Sequence, residues 1–494
     1  MQTYFAQTMS ILRKFLIFLS LAVLAIVAFI AWSMLGEGSD RPIADSMGPA
    51  PVLAEPDEQG LPSVSLPKPS GWAEGHKPSA ANGLVVTRFA ERLDHPRTML
   101  TLPNGDVLVT ETNSPPRASG FENWVMKQLM GRVGAGGASP NRIVLLRDAD
   151  ANGTAEQRFV LREADMASPS GMAFGAGKLF VANHNAVLAF DFEPGATRLG
   201  GKPEKLMALP PGGNHWMRNL ALSKDGKDLF VAVGSASNIA EYGNEKEQGR
   251  AAIWEIDLAS GDKRQFAAGL RNPNGMAWNP STGELWATVQ ERDMLGPDLV
   301  PDYLTNVPVG AHYGWPWLYW KDVYDDRVDN PMPEYLAEYV RKPEYALGAH
   351  VSALGLLFST GGNRMGERFA NGAIVARHGS WNRRPPSGYD VIFIPFDERG
   401  NPKGKALTVL AGFLAADRGT THGRPTWLAW DATGALLVSD DTAGIIWRVE
   451  APGAALSRGP REVNEKSLPP QRELDASLDR QFKMKIKRDE VIEE

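Results

Sequence analysis

The feature that most constrains this chain is a degenerate repeat of paired apolar strands. Segments Pro96–Glu111 (PRTMLTLPNGDVLVTE), Pro169–Asn183 (PSGMAFGAGKLFVAN), Arg218–Gly234, Pro273–Gln290 and Pro425–Asp440 share one form. Each is an apolar strand, a glycine-containing turn and a second apolar strand, the pattern of a β-hairpin. A longer, interrupted copy spans Val351–Arg383, with LGLLF and GAIVARHGS as its strands. Most copies are followed by a third strand: RIVLL from Arg142, AVLAFDF from Ala186, AIWEIDL from Ala252, DVIFIPF from Asp390 and GIIWRVE from Gly444. A fourth, such as QRFVL or KALTVL, often comes next. Four antiparallel strands recurring six times predict an all-β fold, a six-bladed β-propeller of four-stranded antiparallel blades. The units recur about every 60 residues, against roughly 40–45 in WD repeats, so the excess is expected in loops. A β-sandwich array is the weaker alternative, because no linkers separate the units. LVVTRFAERL, from Leu84, precedes the first hairpin and is expected to close the ring as the outermost strand of the last blade.

The rest of the chain divides around this core. Residues 1–36 read as a signal anchor, 37–82 as a Pro-rich tether, 83–452 as the propeller and 453–494 as a polar extension. Phe15–Leu35 is 21 residues without a charge. As a helix it reaches about 30 Å, the hydrocarbon thickness of a bilayer. Arg13 and Lys14 precede it, and Glu37 and Asp40 follow. The positive-inside rule predicts a single-pass transmembrane helix in the inner (cytoplasmic) membrane, with the folded domain in the periplasm. A cleaved signal peptide is the alternative. Its apolar region would usually be about 7–15 residues and end at a small-x-small site, which is not evident after Leu35. From Gly36 to Pro78 the chain is rich in Pro, Ser, Gly and acidic residues, as in an extended linker with no core of its own. The net charge of −6 supplies no basic field for nucleic acid. The absence of cysteine excludes disulfides, a thiol nucleophile, Cys-ligated zinc and an acylated-cysteine anchor.

Inner strands of a propeller aim their flanking loops at the central channel, so chemistry is expected there. GGNHWMRNLALS places His215 between a glycine turn and an inner strand. A lone histidine is more often structural, but this position suits a general base near neutral pH. GLRNPNGMAW carries Arg271 and Asn272; a guanidinium fork suits a planar carboxylate, and the bland alternative is a polar turn. VQERDMLGPDLVPDYLTNVPVGAHYGWPW clusters Glu291, Asp293, Asp298 and Asp302, an oxygen-rich loop that suits calcium or is merely solvated. ARHGSWNRRPPSGYD carries Arg377, His378, Asn382 and Arg383, and HGRPTW carries Arg424, which suggest an anionic ligand or plain surface charge. DADANGTAE from Asp148 opens like an EF-hand loop, but Phe159 stands where a bidentate Glu is needed, so a hairpin turn is expected. Tyr313, Trp315, Trp317, Tyr319 and Trp320 suit either stacking on a ligand or aromatic loop packing.

Taken together and in order, GGNHWMRNL, AIWEIDL, GLRNPNGMAW, ERDMLGPDLVPDYL, HYGWPW, LGAHVSALGLLF, ARHGSWNRRPPSGYDVIFIPF and GRPTW resemble the glucose/sorbosone dehydrogenase family, especially its sorbosone dehydrogenase branch. The resemblance runs from about Leu84 to Glu450. It implies pyrroloquinoline quinone (PQQ) on the channel axis with Ca2+ beside it, and oxidation of an aldose or sugar aldehyde. It implies that His215 is the catalytic base and that Arg271 and Asn272 bind the cofactor and polarise its carbonyl. Arg424 would face the cofactor carboxylates, with Arg383 and His350 as further cofactor contacts. Glu291, Asp298, Asp302 and Tyr313 would belong to the calcium loop, where backbone carbonyls contribute. Electrons would pass to a membrane quinone or a cytochrome.

The chain departs from the pattern of the soluble glucose dehydrogenases. Asn214 stands where they carry Asp before the base; it can orient an imidazole but supplies no charge. PSG at Pro169 stands where they place a glutamine. The calcium loop is longer, and Asn113–Asn141 is an insert containing the amphipathic FENWVMKQLM, a possible lid or membrane contact. Two other readings compete. A calcium-dependent sugar lactonase needs a central metal and a carboxylate base, whereas the polar positions here are Arg and His. A non-catalytic, membrane-tethered binding propeller is favoured by Asn214 and the missing glutamine.

Overall fold

The structure is a computed structural model that describes residues 13–21, 24–25, 28, 38–60, 63–116, 120, 128, 131–132, 134 and 137–463. Most strands fall where the repeat places them. Blade 1 comprises Pro96–Thr101, Val107–Glu111, Arg142–Arg147 and Gln157–Arg162. Blade 2 comprises Gly171–Gly175, Lys178–Asn183, Ala186–Asp191 and Glu204–Ala208, and blade 3 Leu220–Leu222, Asp228–Val233, Ala252–Asp257 and Lys263–Ala268. Blade 5 comprises Ala353–Phe358, Gly372–Arg377, Asp390–Pro395 and Leu407–Ala411. Blade 6 takes Pro425–Trp430, Leu436–Asp440 and Ile445–Glu450 from the C-terminal end of the ring and Val85–Ala90 from its start. Pairing of Val449 with Val86 and of Trp447 with Arg88 closes the six-bladed ring.

Blade 4 departs from the sequence reading. Its first strands are Asn272–Trp278 and Leu285–Gln290, as expected. The third is Pro301–Asn306, which the sequence reading assigned to an acidic loop. Its alternation of Pro, Asp, Tyr, Leu, Thr and Asn offers no apolar run, so its strand character comes from pairing with Trp286–Val289. The fourth strand, Tyr345–Ala349, arrives only after a long excursion through residues 307–344.

Close packing at the axis rests on small residues and shared hydroxyls. A methyl group on Gly171 would collide with the Arg218 carbonyl of the next blade, and one on Gly275 with the Leu354 carbonyl. One on Gly355 would lie 2.9 Å from Trp427 Cα. Thr288 Oγ1 accepts from Gly275 N at 2.9 Å and donates to Leu354 O at 2.6 Å, so one hydroxyl joins two blades. Ser439 repeats the device, accepting from Trp427 N and donating to Arg97 O, both at 2.9 Å. Branched and aromatic side chains fill the spaces between sheets, as Trp286, Leu304, Tyr345 and Phe358 do between blades 4 and 5.

The segment expected to be a free linker is extended but docked. Met47–Gly48 adds a fifth strand to blade 4, and Ser79–Ala80 adds one to blade 5. Lys68–Pro69 pairs in parallel with Thr420–Thr421, and Trp72 packs on Phe413 and Trp447. Composition registers the missing core of this segment but not the pairing of its backbone with other loops. The apolar run 15–35 is described only at 15–21, 24–25 and 28, all helical. Among the described residues no helix is long and apolar enough to cross a membrane. Most of FENWVMKQLM, and 464–494 of the C-terminal extension, lie outside the described residues.

If blade contact at the axis limits stability, Gly275→Ala should destabilise the chain by about 1–3 kcal/mol through overpacking. Gly200→Ala, where a methyl meets nothing within 4 Å, should stay within about 0.5 kcal/mol of the parent. Denaturant unfolding of both variants checks the difference.

Candidate functional site

In every blade the first strand begins, and the second ends, on the same face of the ring. That face collects the loops before each inner strand and the loops after each second strand. The residues one step past the second strands are Thr112, His184, Gly234, Glu291, His378 and Asp441, and Ser235 follows Gly234 in blade 3. This register position, taken round the ring, is the signal that single motifs do not display.

His215, Arg271 and Asn272 converge on this face. Gly234, the residue after a second strand, sits between them: a methyl there would strike both Asn272 Oδ1 and His215 Cβ. His215 Nδ1 lies 2.9 Å from both Ser235 O and Ser235 Oγ. The carbonyl can only accept, and the Ser235 hydroxyl hydrogen is committed to Ser237 O at 2.7 Å. Nδ1 therefore carries the proton, and Nε2 keeps its lone pair. Burial, and then the charge of Arg271, hold the imidazole well below its ordinary pKa, against the Ser235 bond and Asp293. At neutral pH it is an uncharged base. Asn214 is exposed, and Ser235, not the residue before the histidine, fixes the ring.

Arg271 is held on every side. Nε donates to Asn238 O at 3.0 Å, Nη1 to Glu291 O at 2.7 Å, and Nη2 to Asn238 Oδ1 at 2.8 Å and Asp293 Oδ2 at 3.3 Å. It acts as a fixed positive charge beside His215 more than as a free donor. Asn272 gives Nδ2 to Gln290 Oε1 at 2.9 Å and leaves Oδ1 buried without a partner.

Asp293 links this group to blade 5. Its Oδ1 accepts from Asn382 Nδ2 at 2.6 Å and faces His350 Nδ1 at 3.3 Å. Burial opposes its ionisation, but the His350 hydrogen bond and the Arg271 charge bring it down to about 2. His350 Nε2 donates to Gly296 O at 3.0 Å, and its Nδ1 lies 3.2 Å from Asn382 Nδ2 as well as facing Asp293. Asp293 outweighs burial and raises the His350 pKa.

A second group sits on blades 5, 6 and 1. Asp441 Oδ2 accepts from Arg97 Nη1 at 2.5 Å and faces His378 Nε2 at 3.0 Å. Burial works against the Asp441 charge, yet His378, Arg97 and Arg424 hold its carboxyl far below the usual range. Burial and the Arg424 charge push His378 down to about 4. Arg424 donates to His378 O at 3.0 Å and Gly379 O at 2.8 Å. Among the described residues no acceptor faces its Nη1. Arg97 turns Nε and Nη2 towards only the Met217 thioether, at 3.4 and 3.2 Å, and lies 5.4 Å from the Trp216 ring centre. Trp216 and Met217 follow His215 directly, so the two groups are contiguous. Arg97, Ser235, Asn238 and Asp441 are residues that motif reading passes over.

Several expected residues are committed elsewhere. Arg383 donates to Asp298 at 2.8 Å and to Pro385 O at 2.8 Å, so it braces loops, as His350 does. Glu291 pairs with buried Arg292, and Asp302 accepts Glu291 N and Ala353 N at 3.0 and 3.1 Å. Burial raises the Asp302 pKa to about 7 against these two bonds. Tyr313 donates its phenol to Asn306 O and stacks on Tyr303, at the far end of the Pro301–Asn306 strand. Glu291, Asp298, Asp302 and Tyr313 are therefore not gathered into one ligand set. The loop carbonyls are also occupied. Asp293 O and Met294 O accept from Arg327 at 3.2 and 3.1 Å, Leu295 O from Asp57 N at 3.3 Å, and Gly296 O faces His350. As arranged, these residues do not fit a calcium ion. Among the described residues, Asp148, Asp150 and Glu156 alone bring three acidic or histidine ligand atoms within 4.8 Å of one another. They lie at the turn between the third and fourth strands of blade 1. The aromatic cluster is packed: Trp315 Nε1 donates to Asn238 O at 2.9 Å, and Tyr319 lies under Arg292 at 5.1 Å.

The face thus combines a neutral imidazole, underused guanidinium donors, and buried polar atoms without partners at His184 Nδ1, Asn272 Oδ1 and Asn382 Oδ1. The guanidinium donors suit a flat polar anion, and the His215 lone pair and the two amide oxygens can accept from a hydroxyl or N–H of a ligand. Comparison with known proteins relates the fold to others. The TrAA12-like family profile matches residues 141–301 and 330–452. The PQQ-dependent pyranose dehydrogenase of Coprinopsis cinerea is 24% identical over 435 residues, covering 76% of this chain; the chain spans 55% of that protein's length. The PQQ domain of the C. cinerea pyranose dehydrogenase, in holo form, superposes with a TM-score of 0.59 at 20% identity, covering 78% of this chain and 100% of the domain. The calcium structure of the Trichoderma reesei family AA12 enzyme gives 0.62 at 19% identity, covering 76% and 97%. The chain belongs to the TrAA12-like family.

Proposed function

We propose that this chain oxidises an aldose or sugar aldehyde, sorbosone-like in type, using PQQ on the axial face. The observation that carries this reading is His215, held by Ser235 in one tautomer beside Arg271 and Asn272. PQQ, when bound, supplies the hydride acceptor. Arg97 and Arg424 would hold its carboxylates, and Asn272 and the Arg271 charge would lie at its reacting carbonyl. His215 Nε2 takes the proton from the hydroxyl, or aldehyde hydrate, of the carbon being oxidised. Nδ1–H stays on Ser235, and the growing imidazolium charge is opposed by Arg271 and favoured by Asp293. The product is a lactone or acid, and a membrane quinone or cytochrome takes the electrons. The apolar run 15–35 serves as a single-pass anchor in the inner membrane, with the propeller in the periplasm.

His215→Ala should lower sugar-dependent dye reduction by about 10²–10⁴-fold while PQQ still binds; a rate unchanged by the substitution contradicts the assignment. A base whose pKa is depressed gains activity as pH rises through that pKa. The acid limb of kcat/KM should therefore lie below the ordinary histidine value of about 6.5, and a limb above it counts against His215 as base. Calcium, which the family resemblance implies, would have to displace Arg327 or His350 from the 293–296 carbonyls. EDTA should then leave PQQ affinity unchanged, as measured by fluorescence titration.

A further inference from the structure

The N-terminal segment is pinned to the same face that carries His215. Ser39 N donates to Arg384 O at 2.7 Å, and Ser39 Oγ to Asp298 Oδ2 at 2.5 Å. Arg383 Nη2 reaches Arg41 O at 3.2 Å. Further along, Gln59 N donates to Met294 O at 3.1 Å, Ser65 N to Trp381 O at 2.8 Å, and Ser70 N to Thr421 O at 2.7 Å. Trp72 Nε1 ends the crossing on Asp440 at 2.9 Å. The acceptors belong to the loops after the second strands of blades 4 and 5, the loop entering blade 6, and the end of its second strand. All of these are on the site face.

This attachment limits how an anchored propeller can sit. The uncharged run ends at Leu35, and Ser39 is already fixed to the ring. The few residues between them reach at most about 14 Å when fully extended. The two faces of the ring are separated by about 20 Å, the length of a six-residue strand. A chain that leaves the bilayer at residue 35 cannot place Ser39 on the far side of the ring from the membrane.

We infer that the propeller presents its site face to the bilayer, and that the surface this face meets is lipid. The inference rests on the membrane-anchor reading above. The docked segment is then a brace that sets orientation, not a linker that grants freedom. Its loops at 291–300 and 378–389 tie the anchor to Asp293 and Asn382 within the site.

The chain contains no cysteine, so single-cysteine variants of the full-length protein carry one label each. Glu58→Cys and Lys246→Cys place exposed labels on the site face, and Lys202→Cys and Lys224→Cys place them on turns of the opposite face. Each labelled protein is reconstituted into vesicles whose lipids carry a headgroup nitroxide quencher. Loss of fluorescence at 58 and 246, with none at 202 and 224, is the expected result. Equal loss on both faces, or loss confined to 202 and 224, overturns the orientation while leaving the anchor standing. Failure of the full chain to float with the vesicles overturns the anchor and the orientation with it.

Discussion

The approach of inner strands across the propeller axis is the constraint on which everything else depends. Gly171, Gly275 and Gly355 bring backbones of adjacent blades so close that no side chain fits between them. Thr288 and Ser439 then bridge the same strands through hydroxyls. Only when six inner strands are held this tightly do their flanking loops meet on one face. His215 of blade 3, Arg271 of blade 4, His378 of blade 5, Asp441 of blade 6 and Arg97 of blade 1 are distant in sequence and become neighbours or links of one chain for this reason.

Charge on that face is organised around two buried carboxylates. Asp293 gathers Arg271, His350 and Asn382, and Asp441 gathers Arg97 and His378, with Arg424 close by. Each carboxylate faces more than one cation or donor, and Arg97 and Arg424 keep N–H groups that no carboxylate takes. A buried cation without a full partner is costly in a protein interior. An anionic ligand would relieve that cost, and in doing so would also stabilise the arrangement that fixes His215. The same arithmetic explains why the imidazole is neutral: burial and Arg271 together outweigh Asp293.

Sequence and structure agree where pattern and position carry the information. The hairpins are legible because strand periodicity and glycine turns repeat, and ring closure by Val85–Ala90 is legible because that strand has no other partner nearby in sequence. His215, Arg271 and Asn272 are legible because they stand just before inner strands. The third strand of blade 4 is not, since Pro301–Asn306 lacks an apolar run and is specified by its neighbours. Nor is the docking of residues 38–80, because backbone hydrogen bonds to loop carbonyls leave no trace in composition. The acidic loop misleads for a related reason. Its carboxylates and carbonyls suit a cation, and the cations that take them are Arg292, Arg327, Arg383 and His350, which no local spacing reveals. Ser235 escapes notice because its part in the site depends on the register of a second strand, 20 residues beyond the histidine it orients.

The most direct measurement is a crystal structure of the chain grown with excess PQQ. A quinone seated on the axial face, touching His215 and Asn272 at one end and Arg97 and Arg424 at the other, is the predicted result. A quinone bound at another surface, or an axial face that stays free of it at saturating concentration, would contradict the proposed chemistry.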